Sequence, residues 1–302
     1  MTPSLSHWHI LGAGAIGGLW ALRLQAIGCN VTLLEAVLSS PLRQLCLKAD
    51  GANHCHAFPV SMVAQSPLLV TTKAGDTIDA LRPVLDSLPS GSSLVLLQNG
   101  MGVDDLIRQQ RPDLRIITGI TTDGVFRENR NQLVLAGQGI TLLGGETPAE
   151  QDIANDIAQQ WSRTGATVSA ATDIRIRRWQ KLAINCAINP LTARYRCRNG
   201  ELLDKPEALA TMQAICHEVA AVMHAEGMAA DGDDLFGKAK EVAFQTGANT
   251  SSMLADVQAG RRTEIDFMNG YIVHLASRHG LTVPANKAIT AAIRLLSQTP
   301  SA

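Results

Sequence analysis

"HWHILGAGAIGGLWALRLQAIGCNVTLLE", residues 7–35, is a short apolar run, three glycines spaced G-x-G-x-x-G, a helical stretch and a second apolar run. The order predicts strand, tight turn, helix and strand, with the helix running to about Ile27 and Gly28 ending it. Each glycine has a separate physical task. Gly12 permits the turn, Gly14 lets a pyrophosphate approach the backbone, and Gly17 lets helix and strand pack closely. Unpaired N–H groups and the positive end of the helix dipole then face the phosphates. A lone glycine pattern carries little weight; framed by two strands and a helix it predicts dinucleotide binding.

The residue closing the second strand ordinarily separates the two nicotinamide cofactors. Glu35, an acid able to accept from ribose hydroxyls, points to NAD(H). Arg43, placed by this reading on a downstream helix, and Ser39 and Ser40 are the groups that could instead meet the 2′-phosphate of NADP(H). Further strands are expected in "LLVTTKAG" (68–75) and "SSLVLLQNGMG" (92–102), whose polar, glycine-containing ends carry Lys73 and Asn99 where open α/β sheets collect ligands. The alternation of strands and helices stops near Asp173.

Beyond Asp173 the pattern is helical. "KLAINCAINPL" (181–191) reads as a helix about to stop at Pro190, with Lys181, Asn185 and Asn189 at steps of four along one narrow stripe. A solvated face is the ordinary meaning of a lone lysine. Two asparagines, middling helix formers with competing amides, suggest aimed donors and acceptors. A helix from Pro206 to a stop at Gly227, a long amphipathic helix near 261–279 carrying Glu264 and Asp266, and another after Pro284 follow. Ser251 and Ser252 precede a helix start, where serine is ordinarily a cap.

The 302 residues are enough for two domains; 46% hydrophobic and 18% charged residues fit a globular protein, and a formal net charge of -1 supports neither a nucleic-acid nor a membrane surface. The first residues lack a secretion signal, so the expected compartment is the cytoplasm. Six cysteines without a CxxC pair are expected to be reduced thiols. "HCH" (54–56) lacks a second ligand pair at finger spacing, so no metal site is expected.

These motifs together resemble the ketopantoate reductase family: "GAGAIGGLW", "LLVTTKA", "LLQNGMG", "WQKLAINCAINPLTA", "NGEL", "SSMLADVQAGRRTEIDFMNG" and "HGLTVPAN", spread over nearly the whole chain. The resemblance implies an α/β Rossmann-type amino-terminal domain (1–172), an all-α carboxy-terminal domain (173–302), and a cleft between them where NADPH reduces ketopantoate to (R)-pantoate. It puts the catalytic lysine on Lys181, with Glu264, Asn185, Asn189 and Ser252 as substrate contacts and Asn199 and Asn249 as further polar positions near the substrate. Gly12, Gly14, Ala15, Ile16, Gly17, Lys73 and Asn99 fall on the cofactor side. Relatives commonly carry an arginine just after the second strand to meet the 2′-phosphate, where this chain reads "LLEAV"; the family pattern, with Arg43 within reach, keeps NADP(H) as the expected cofactor, and Glu35 makes NAD(H) the alternative. Other readings of the same residues are a two-domain dehydrogenase for another keto acid and a non-catalytic dinucleotide sensor. The partners expected are a small keto acid and, as protein, a second copy of the chain in a homodimer.

Overall fold

The computed structural model describes residues 6–49 and 51–298. It divides into two compact units, one of residues up to Gln98 together with Val103–Arg175, the other of Asn99–Gly102 with Ile176 onward.

The first unit carries strands β1 (His7–Leu11), β2 (Asn30–Leu34), β3 (Leu42–Ala49), β4 (Ala52–Ser61), β5 (Leu68–Val70), β6 (Ser93–Leu96), β7 (Arg115–Thr121), β8 (Gly124–Arg127), β9 (Gln132–Gly137), β10 (Ile140–Gly145) and β11 (Thr167–Ala170). Helices α1 (Ala15–Ala26), α2 (Ala74–Leu85), α3 (Val103–Gln110) and α4 (Pro148–Ser162) intervene. Among the described residues the strands form one sheet ordered β11-β10-β7-β6-β5-β1-β2-β4-β3-β9-β8. Its centre, β7 to β2, is parallel. β5 and β6 are buried along their whole length, which is why they read as unbroken apolar runs rather than alternations. Trp20 stacks on Trp161 at 4.0 Å between ring centroids, joining α1 to α4 in the core.

Two expectations fail on this sheet. Arg43 lies on β3, not on a helix: "LRQLCLKA" pairs antiparallel with β4 over eight residue pairs, Arg43 opposite Phe58. Leu42 and Leu45 are spaced as on a helix face, and a hairpin partner overrides that local signal. The same register sets Cys46 opposite Cys55, and the two sulfurs are bonded. The expectation of six free thiols is therefore wrong for this pair, because cross-strand proximity is invisible in linear spacing; Cys29, Cys186, Cys197 and Cys216 are buried and form no disulfide among the described residues.

The second unit is helical: α5 (Ile174–Tyr195), α6 (Pro206–Ala225), α7 (Gly232–Gln245), α8 (Ser252–Gln258), α9 (Asn269–Arg278) and α10 (Pro284–Gln298). α5 does not stop at Pro190 but continues to Tyr195. A proline inside a helix deprives the carbonyl four residues earlier of its donor. Here that carbonyl, on Cys186, accepts from the buried Asn269 side chain at 3.1 Å. Asn269 is held in turn by the Asn286 amide oxygen at 3.0 Å, and Asn286 donates to Glu218 at 2.8 Å. The long helix expected over 261–279 is absent: Glu264 caps a short 3-10 turn, Ile265–Phe267, and α9 begins only at Asn269. Among the described residues no helix is long and apolar enough to cross a membrane, and no group of three or more His, Cys, Asp or Glu is placed to hold a metal ion.

Candidate active site

The glycine loop of the first unit separates packing roles from an open one. Gly12 has φ +94°, and a Cβ there would lie 2.5 Å from the Thr72 nitrogen. A Cβ on Gly17 would collide with the Thr71 hydroxyl and the Gly12 carbonyl. Both glycines are thus demanded by the protein's own packing. Gly14 is not crowded in this way: its φ is negative, −84° with ψ −144°, and an added Cβ would meet nothing nearer than the Gly12 oxygen at 3.7 Å. The backbone at Gly14 is therefore open to the approach of another group. Gly14 gives that helix no side-chain cap, so Ala15, Ile16 and Gly17 begin it with donor groups and a positive dipole end. A diphosphate fits such a cradle.

At the end of β2, Glu35 is bound on both sides. Arg43 Nη1 donates to its Oε1 at 2.9 Å, and Arg130 Nη2 donates to Oε2 at 3.1 Å. Arg43 also donates from Nη2 to the carbonyls of Ala13, 3.1 Å away in the glycine loop, and of Arg130 at 2.7 Å. Two guanidinium groups against one carboxylate leave one net positive charge where the sequence alone showed an acid. Lys73 lies beyond β5 as the cap residue of α2.

In the second unit, Lys181 stands on α5, half-buried. Nζ donates to the Asn99 side-chain oxygen at 3.0 Å. Burial lowers the amine from its ordinary value of 10.5 to about 8, and the negative charge of Glu264 works against that fall. Glu264 is itself buried, 9% exposed, and its position is set by the 3-10 turn after it. Residues 99–102 are laid on the same segment: Met101 N donates to the Phe267 carbonyl at 2.9 Å. Gly100, at φ +87°, would place a Cβ 2.5 Å from that oxygen, so only glycine lets Asn99 be held beside Lys181. Asn99, expected on the cofactor side, therefore joins Lys181 and Glu264 in one charged and hydrogen-bonded group.

The remaining expected residues fall at graded distances. At 1.5 Å of rise per residue, Asn185 is about 6 Å and Asn189 about 12 Å along α5 from Lys181, both half-buried. Asn199 follows the far end of α5; it is buried, its amide donates to Thr246 at 2.9 Å, and its backbone N–H donates to the Asn249 carbonyl at 3.1 Å. That pair fastens a loop. Ser251, not Ser252, is the helix cap, accepting from Leu254 N at 3.1 Å and bonded to Thr192 at 2.6 Å. Ser252 begins α8 with its side chain exposed, and Asn249 is exposed too. Sequence reasoning missed Arg130 and Asn269. Nothing local marks Arg130, whose partner Glu35 is 95 residues away, whereas Pro190 inside an apolar run was a signal that some donor must stand in for its missing N–H.

Comparison with known proteins follows the same outline. Residues 8–146 match the family model described as ketopantoate reductase PanE/ApbA, and residues 173–297 match that of its C-terminal domain. A 2-dehydropantoate 2-reductase of Vibrio cholerae is 35% identical over 96% of this chain and 97% of its own. One of Archaeoglobus fulgidus is 32% identical over 95% and 96%. Among solved structures, a probable 2-dehydropantoate 2-reductase from Bacillus subtilis superposes with TM-score 0.79 at 26% identity, covering 96% of this chain and 99% of its own. The ternary structure of D-mandelate dehydrogenase with NADH and anilino(oxo)acetate shares the fold, with TM-score 0.89 at 23% identity over 96% and 98%.

Proposed function

The chain belongs to the ketopantoate reductase family, and from that premise we propose that it is a 2-dehydropantoate 2-reductase, reducing ketopantoate to (R)-pantoate with NADPH on the route to pantothenate. A reduced nicotinamide cofactor, when bound, supplies the hydride. The fit of such a group to the chain is supported by the Gly14 opening and the uncapped start of α1.

The observation that carries the reading is the Lys181 amine, held by Asn99 and poised near pH 8 beside Glu264. Reduction of a ketone builds negative charge on its oxygen, and a positive donor aimed at that oxygen lowers the barrier. Lys181 Nζ polarises the carbonyl and passes a proton to the oxygen as it becomes an alcohol. An amine titrating near 8 is matched to that task, being protonated at neutral pH yet ready to give the proton up. Asn99 aims the ammonium, and Glu264 keeps it charged while offering an acceptor to the substrate hydroxyl. Asn185, one turn along α5, supplies an uncharged amide within the span of a small keto acid; Asn189, Ser252, Asn249 and Asn199 are assigned to the outer part of the site. NADP(H) is preferred over NAD(H) in this reading because Glu35 is already neutralised by Arg43.

The test is the initial rate of ketopantoate-dependent oxidation of NADPH and NADH by the purified protein. Faster turnover with NADPH is expected. A rate only with other 2-keto acids, or with none, would overturn the assignment.

A further inference from the structure

Resting on that reading of the cofactor, we propose that Arg130, in the turn between β8 and β9, is the residue that selects NADP(H), taking the 2′-phosphate in place of Glu35. The acid at the end of β2 is where an adenosine ribose is met in this fold. Arg130 Nη2 stands 3.1 Å and 3.3 Å from the two oxygens of that acid, so a group reaching the carboxylate also reaches the guanidinium.

The two arginines differ in freedom. The Arg43 side chain is 12% exposed and has three acceptors, Glu35, the Ala13 carbonyl and the Arg130 carbonyl. It cannot swing to a phosphate without abandoning all three. Its task is to offset Glu35 and to hold the Arg130 backbone. Arg130 is 65% exposed and touches Glu35 through a single nitrogen. Among the described residues its other donors make no hydrogen bond, leaving a planar fork for an incoming dianion. An exposed ion pair of this kind contributes little, whereas an arginine meets a phosphate through two charge-assisted bonds. Exchange of the carboxylate for the phosphate is therefore favourable.

The turn is built to present this side chain. The Asn129 side-chain oxygen accepts from Asn131 N at 2.9 Å and Gln132 N at 3.0 Å, closing the turn, and Cys46 N donates to the Asn131 carbonyl at 2.8 Å, fixing it to β3.

Calorimetric titration of the whole protein with NADP+ and with NAD+, without any keto acid, tests this. The wild type should bind NADP+ at least about tenfold more tightly, the scale of a charge-assisted hydrogen bond. Arg130→Ala should remove most of that ratio by weakening NADP+ alone, Arg130→Lys should restore part of it, and Glu35→Gln should tighten NADP+. An unchanged ratio in Arg130→Ala, or equal weakening of both dinucleotides, overturns the proposal while leaving the reductase reading intact. Binding of neither dinucleotide by the wild type overturns both.

Discussion

Replacing Lys181 by methionine should stabilise the protein at neutral pH while destroying its activity. The amine titrates at about 8 when folded and at 10.5 when free. At 1.36 kcal/mol per pH unit, holding the charged form in the folded protein costs about 3 kcal/mol. Because the folded pKa is the lower one, the unfolded chain binds more protons between pH 8 and 10.5, and wild-type stability rises with pH across that window. Below it the whole penalty is present; above it none remains. Methionine has similar reach and no charge, so the stability difference, variant minus wild type, should be about 3 kcal/mol larger at pH 7 than near pH 11. The attraction of Glu264 is already contained in the lowered value; the bond to Asn99, which a neutral amine also donates, is lost in the variant at every pH and lowers its whole curve by about 1 kcal/mol. Urea unfolding of both proteins, followed by tryptophan fluorescence at a series of pH values, measures the difference. No gain at neutral pH, or a difference that does not shrink on the alkaline side, would refute a desolvated, charged Lys181. Turnover of the variant should fall by ~10²-fold or more, and wild-type turnover should decline as pH rises through about 8.

Glu264→Gln removes the charge that raises the Lys181 pKa, so the alkaline limb of kcat/KM should move to lower pH; an unmoved limb would separate Glu264 from the lysine. Gly14→Ala, where the methyl has room, should destabilise the fold less than Gly12→Ala, where φ is positive and the methyl collides, yet it should weaken dinucleotide binding about tenfold or more; calorimetry and thermal denaturation distinguish the two. Asn269→Leu should cost about 1–3 kcal/mol by stranding the Cys186 carbonyl, and clearly less in a Pro190→Ala background, where residue 190 regains the N–H that carbonyl lacks. Equal costs in both backgrounds would show that the amide is not standing in for the proline.

These predictions draw on tertiary contacts of a kind that no stretch of sequence displays. The amine of Lys181 meets Asn99 because residues 99–102, distant in the chain, lie against Phe267 through Gly100 and Met101. The neutralisation of Glu35 joins a strand end, a hairpin strand and a turn. The persistence of α5 through Pro190 depends on an asparagine 83 residues away from the carbonyl it serves.

What the sequence by itself determined is what local sterics and periodicity govern. The G-x-G-x-x-G turn can be made only with glycine where φ is positive or a backbone presses close, so its place before a helix and between two strands was legible. So were the buried parallel strands, written as unbroken apolar runs, the helical second half, and the Lys181, Asn185, Asn189 stripe, since steps of four fall on one face whatever surrounds them. The tertiary structure alone decided which groups share an environment. Arg43 became a strand residue and Cys46 met Cys55 because β4 lies alongside β3. Glu264 left its expected helix for a 3-10 turn, and the acid at the end of β2 acquired two arginines. Charge, burial and pairing are sums over neighbours in space, and most of those neighbours are far apart in the chain.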